Sequence, residues 1–169
     1  VGVILGGGKE LVKRYHVKNN IENLKLHMIG KLQTNKVKFA IPLFDYIHSL
    51  DNIKLAEKIS SEQKKFGKKL KIFIQVNIGE ENQKSGISKD LVSNFYKVCI
   101  NDLDLDIIGL MCIPPAKEDM SHYFSAMNKL NKLIGLNELS MGMSSDYLEA
   151  TSHGATFVRI GSKIFGDRS

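Results

Sequence analysis

Two stretches near the C-terminus combine residue types that hold anions: Ser140-Met-Gly-Met-Ser-Ser-Asp146 and Val158-Arg-Ile-Gly-Ser-Lys-Ile-Phe-Gly166. Each reads as a short strand running into a loop of small residues, and the first loop leads straight into a helix. Such loops, side by side at the end of a parallel α/β chain, suit a phosphate group. Met143 closes the first strand. Ser144 then offers a hydroxyl and a backbone N–H at a helix start; its alternative role is a plain N-cap. In the second stretch Val158 and Ile160 face one way, and Arg159 and Gly161 the other. Barrel strands are buried on both sides, so Arg159 is expected to point inward, where a guanidinium needs an acceptor. That acceptor is either a structural carboxylate or a ligand's ring nitrogen or phosphate. Gly161 and Ser162 add an N–H and a hydroxyl for phosphate.

Three further polar clusters fall at expected strand ends: His27 to Lys36, His48 to Asp51, and Gln75 to Asn77 with Gln83-Lys84-Ser85-Gly86 behind it. Polar residues gathered at C-terminal strand ends mark the working face of parallel α/β folds. Leu5-Gly-Gly-Gly-Lys-Glu10 matches neither GxGxxG nor GxxxxGK[ST], so it reads equally well as a turn.

The elements that must position these residues alternate. Strands are expected at 3–5, 25–30, 44–49, 71–77, 105–112, 139–143 and 156–160. Helices are expected at 52–66, 89–100, 120–133 and 145–153, with Asp51 and Ser144 as N-caps and Gly67 and Gly154 as C-terminal stops. This order implies a parallel sheet with crossover helices in one domain spanning residues 1–169. Strands recur about every 25 residues, whereas eight such units need roughly 200 residues or more. The expectation is a (β/α)8 TIM-type barrel that is N-terminally incomplete by one strand–helix unit. An open flavodoxin-like or Rossmann sheet is the competing architecture.

Composition narrows the function. The 169 residues include 43% hydrophobic and 25% charged positions, which suits a globular domain. No apolar run of about 18 residues exists to span a membrane. Cys99 and Cys112 lack CxxC spacing and read as reduced, buried thiols of a cytoplasmic protein. The five histidines show no HxH or HExxH pattern, so no metal site is expected. The net charge of +6 rests on 21 Lys against 3 Arg, scattered along the chain, a poor match to a nucleic-acid-binding stripe.

The ordered run HMIGKLQTNKVK, IHSLD, IQVN with KSGI, GLMCIPP, SMGMSSD and RIGSKIFG resembles the pyridoxal 5′-phosphate (PLP) homeostasis proteins, single-domain relatives of the alanine racemase N-terminal barrel. The resemblance covers the chain from about Leu24 onward. It implies a PLP-binding protein that buffers and delivers the cofactor, has no established turnover, and serves PLP-dependent apoenzymes. Carried over, the cofactor-binding set is Met143, Ser144, Arg159, Gly161 and Ser162, with Arg159 near the pyridine nitrogen. An arginine there keeps that nitrogen unprotonated and weakens the ring as an electron sink. The family's Schiff-base lysine sits on its first strand in an AVSKT-like motif, which this sequence lacks. Lys84 is the expected substitute, ahead of Lys36 and Lys9. The alternatives are an amino-acid racemase-type enzyme, or a degenerate fragment unable to hold PLP covalently.

Overall fold

Runs such as Ile72-Phe-Ile74 are apolar at every position rather than every second one, as strands covered on both faces require. In a computed structural model, which describes residues 2–5, 24–81, 85–115 and 119–166, these runs form seven strands. They are β1 (Gly2–Leu5), β2 (Lys25–Met28), β3 (Tyr46–Leu50), β4 (Lys71–Gln75), β5 (Asp106–Met111), β6 (Glu138–Met143) and β7 (Phe157–Arg159). They pair in parallel in sequence order, β1 to β7. A doubly wound sheet reverses its strand order partway, so the sequential order removes the flavodoxin-like and Rossmann alternatives.

The sheet is strongly curled. In a flat sheet β3 and β6 would stand about 14 Å apart, and β2 and β7 about 24 Å. Instead His48 of β3 hydrogen-bonds Ser140 of β6 at 2.9 Å. The rings of His27 on β2 and Phe157 on β7 lie 5.9 Å apart between centroids. Among the described residues β1 and β7 are the two edges of this trough.

The helices are α1 (Val37–Ala40), α2 (Ile53–Phe66), α3 (Val92–Asn101), α4 (Met120–Leu133), α5 (Tyr147–Ser152) and α6 (Ser162–Phe165). Short 3-10 turns, Thr34–Lys36 and Lys89–Leu91, lead into α1 and α3. Helix α2 shows how sequence fixes them. Leu55, Ala56, Ile59 and Gln63 share its buried face, and Gly67 ends it in the left-handed conformation at φ 59°. The buried Gln63 carboxamide accepts the Leu70 N–H at 2.6 Å, tying the helix end to the start of β4.

All seven expected strands form, with ends shifted by one or two residues. Two expected caps do not. Asn52, not Asp51, caps α2, its side chain accepting the Leu55 N–H at 2.9 Å; the Asp51 carboxylate instead accepts from the Asn52 amide. Helix α5 starts at Tyr147, so Ser144 lies in the turn before it and is not its N-cap. Helix α1 starts where the His27–Lys36 segment is expected to open a helix, whereas α6, also of four residues, went unanticipated because one turn carries too little periodicity to read. No helix among the described residues is long and apolar enough to cross a membrane.

Candidate functional site

Strands β6 and β7 deliver Arg159 and the two small-residue loops to one place. Met143 is registered opposite Arg159 across the pair, so Ser144 and Gly161 leave the sheet together. The Gly161 N–H donates to the Ser144 hydroxyl at 3.1 Å. The two groups expected to hold a phosphate thus meet across 17 residues of sequence and satisfy each other. Met143 is exposed, and its N–H donates to the Asp146 carboxylate at 2.5 Å, which fixes the turn. Ser162, also exposed, is the first residue of α6. Gly142 carries φ 90°, and a Cβ there would come within 2.5 Å of the Ala150 methyl. The missing side chain at this glycine makes room for α5.

Arg159 is 7% exposed and points inward, as the strand alternation predicts. Its guanidinium donates to the Ser140 carbonyl at 3.2 Å, the Ser140 hydroxyl at 3.1 Å and the Cys112 carbonyl at 2.8 Å. Every one of these acceptors is formally neutral. Burial lowers the pKa of Arg159 from its ordinary value, while Cys112 and Asp146 act in the opposite direction. Guanidinium has five N–H donors, and these three bonds leave two of them uncommitted.

Beside Arg159 a cavity of about 210 Å³ opens, lined by His27, His48, Ser140, Phe157 and Arg159 among others. A cavity of about 150 Å³ accommodates benzene, so this one has room for a substituted six-membered ring. Its histidines were expected at strand ends. They lie instead within β2 and β3, facing inward. His27 stacks on Tyr46 at 4.1 Å, and His48 on Phe73 at 4.4 Å. Their imidazoles bond to each other, His27 Nδ1 to His48 Nε2, at 2.9 Å. His48 Nδ1 reaches the Ser140 hydroxyl. Burial depresses the pKa of His27 to about 4 and of His48 to about 3, with Arg159 adding to the effect on His48.

This linkage through Ser140 was not anticipated. Its signal in the sequence is a polar residue at the centre of an apolar strand, which burial tolerates only with a partner.

The other polar clusters have local roles. Asn77 and Glu81 close their own loop through Asn77 Nδ2 to the Glu81 carbonyl and the Glu81 N–H to Asn77 Oδ1. Gln75 is buried and donates to the Ser85 carbonyl at 3.3 Å. Gly86, at φ 121°, packs directly on the Asn77 backbone, and Val76 and Ile87 form a parallel bridge. Lys84, Lys9 and the Gly6–Gly8 loop lie outside the described residues. Lys36 is exposed at the end of its 3-10 turn. The thiols of Cys99 and Cys112 are free and buried, and burial pushes both up to about 12. Among the described residues no cluster of three or more His, Cys, Asp or Glu side chains has the makings of a metal site.

Residues 15–169 match the family described as alanine racemase, N-terminal domain. A pyridoxal phosphate homeostasis protein of Aquifex aeolicus is 36% identical over 169 residues, covering 95% of this chain and 74% of that protein. Another, from Pasteurella multocida, is 34% identical over 165 residues, covering 92% and 70%. PipY of Synechococcus elongatus, solved without PLP, superposes with a TM-score of 0.84 at 30% identity, covering 94% of this chain and 78% of PipY. PipY with PLP bound gives 0.83 at the same identity, covering 92% and 76%. By sequence and by fold, this chain belongs to the pyridoxal phosphate homeostasis proteins, relatives built on the alanine racemase N-terminal domain.

Proposed function

We propose that this chain binds pyridoxal 5′-phosphate beside Arg159, with its ring in the cavity inside the trough and its phosphate at the loops that follow β6 and β7, and acts in the cytoplasm as a carrier that buffers the cofactor and passes it to PLP-dependent apoenzymes. The observation that carries this is Arg159, a buried cation with neutral acceptors and spare donors, lying beside the Ser144–Gly161 pair. The residues fit the group. Ser144, Gly161 and Ser162 take the phosphate, with Met143 on the rim, and Arg159 donates to the ring nitrogen. Phosphate binding replaces one neutral hydrogen bond, between Gly161 and Ser144, by charge-assisted ones that are about twice as strong.

Bound PLP supplies an aldehyde that condenses with amines and a ring that withdraws electrons. Arg159, always a donor, holds the ring nitrogen unprotonated and limits that withdrawal. This restraint, together with the homeostasis naming of the relatives, supports a protein without turnover of its own. Polarimetry of L-alanine with the PLP-loaded protein checks it: steady loss of rotation overturns the carrier assignment in favour of a racemase. The curled sheet, with side chains meeting from β2 to β7, supports a (β/α)8 barrel as the complete architecture, and one domain over residues 1–169 goes with it.

The deciding experiment adds PLP, desalts, and records the visible spectrum. Retained cofactor absorbance is expected, and a colourless protein sinks the binding site. Covalent attachment is assigned to Lys84, whose neighbour Ser85 is held to the C-terminal end of β4 by Gln75. Borohydride reduction and peptide mapping test that step. A pyridoxyl group on Lys84 is the expected result, and its absence there refutes the assignment while leaving phosphate and ring binding intact.

A further inference from the structure

The hydrogen bonds in the trough form one continuous chain: His27, His48, Ser140 and Arg159, from β2 and β3 across to β6 and β7. Its direction follows from donor counting. A guanidinium only donates, so the Ser140 hydroxyl oxygen accepts from Arg159. Ser140 is fully buried, and its own proton has one further partner, His48 Nδ1 at 2.9 Å. Were that nitrogen protonated, the hydroxyl would accept twice and bury its own proton without an acceptor, a cost of about 1–3 kcal/mol. His48 Nδ1 is therefore the acceptor, and its proton sits on Nε2. That N–H donates to His27 Nδ1 at 2.9 Å, which places the His27 proton on Nε2 as well. Stacking on Tyr46 and Phe73 holds the two ring planes.

We infer that Ser140 and His48, backed by His27, are positioning residues for Arg159: a one-way chain of donors that pins one edge of the guanidinium and leaves its remaining N–H groups directed at a ligand. Two carbonyls and a hydroxyl fix Arg159 in one orientation, and its guanidinium has no acceptor to offer a protonated ring nitrogen. The preference for an unprotonated ring nitrogen that the proposed function gives Arg159 therefore depends on this chain. The ligand-specific half of this statement rests on the PLP assignment; the direction of the chain does not.

Two measurements separate them. In ligand-free protein labelled with 15N-histidine, both imidazoles at pH 7.5 carry their proton on Nε2, and Ser140→Ala releases His48 into a mixture of tautomers. A proton on Nδ1 of either ring, or His48 signals that Ser140→Ala leaves unchanged, overturns the chain. The second compares affinities for PLP and for its analogue with carbon in place of the ring nitrogen. Wild type prefers PLP, and Ser140→Ala and His48→Phe each cut that preference about tenfold, the worth of one well-placed hydrogen bond. His48→Phe keeps the ring stack on Phe73, so it guards against a trivial packing loss. Equal weakening of both ligands means a merely structural role and refutes the positioning assignment. Wild type that retains neither ligand, with both imidazoles protonated on Nε2, upholds the chain and removes the cofactor.

Discussion

Acid should destabilise this protein well above the pH at which carboxylates titrate. His27 and His48 are neutral in the fold, with pKa values depressed to about 4 and about 3 from an ordinary 6.5. Below pH 6.5 the unfolded chain binds a proton at each histidine and the folded chain does not. Stability therefore falls as pH falls, from about 6.5 down to the folded values, and is unaffected by these groups above that window. For His48 alone the difference between pH 7.5 and pH 5 is roughly 2 kcal/mol, with a slope approaching 1.4 kcal/mol per pH unit. His27 adds in the same direction. Glu62 and Asp104, lowered by Lys58 and Lys65 and by Lys69, lose their ion pairs only below the ordinary carboxylate range, so they contribute little in this interval.

Urea unfolding followed by far-UV circular dichroism reads this directly, since the chain has no Trp to report. With a urea slope of about 2 kcal/mol per molar, the His48 contribution lowers the midpoint by about 1 M between pH 7.5 and pH 5. His48→Phe lowers absolute stability by stranding the Ser140 proton, but it should flatten the pH dependence by that same molar. A stability that stays level over this interval, or a slope that His48→Phe leaves untouched, refutes the assignment of a buried neutral imidazole.

Arg159→Met is expected to weaken PLP binding by more than tenfold in an absorbance titration. Arg159→Lys should not restore it, because one ammonium cannot span the Ser140 and Cys112 acceptors in a fixed fork. Ser144→Ala should cost PLP about tenfold in affinity and leave unphosphorylated pyridoxal unchanged; equal loss of both would move Ser144 away from the phosphate. Gly142→Ala should lower unfolding stability by about 2–4 kcal/mol in urea, from the φ of 90° and the collision with Ala150, and a change under 1 kcal/mol would contradict the packing.

Much of the fold was legible because its strands are buried on both faces. Ile72-Phe-Ile74 and Leu110-Met111 are apolar at successive positions between turn signals, as doubly covered strands are, and Gly67 and Gly154 stop their helices where expected. Caps were misplaced by a residue or more where adjacent side chains compete for one role. Asp51 and Asn52 both offer an oxygen, and local geometry alone gives the cap to Asn52. Arg159 was legible as an inward residue from its strand parity. Its acceptors were not, because Cys112 contributes through its carbonyl, which carries no sequence signature. Nor does spacing bring His48 and Ser140 together across 92 residues; only the curl of the sheet does.

The polar interior also explains why this cleft, and not the lysine-rich surface, should draw an anion. Exposed lysines such as Lys69 are screened by water or paired, as with Asp104 at 2.6 Å, and add little to a specific site. Arg159 is removed from water and held by dipoles that orient it without cancelling its charge. The Asp146 carboxylate is engaged by the Met143 N–H rather than by the guanidinium. A phosphate at Ser144 and Gly161, at the solvent-exposed rim immediately beyond the register pair Met143–Arg159, would bring a negative charge close to this buried cation. The neutral histidines serve the same end from the other side. A protonated His48 would place a second cation near Arg159; burial first, then His27 and Arg159, hold the imidazole neutral and leave Arg159 the cation of this cavity wall.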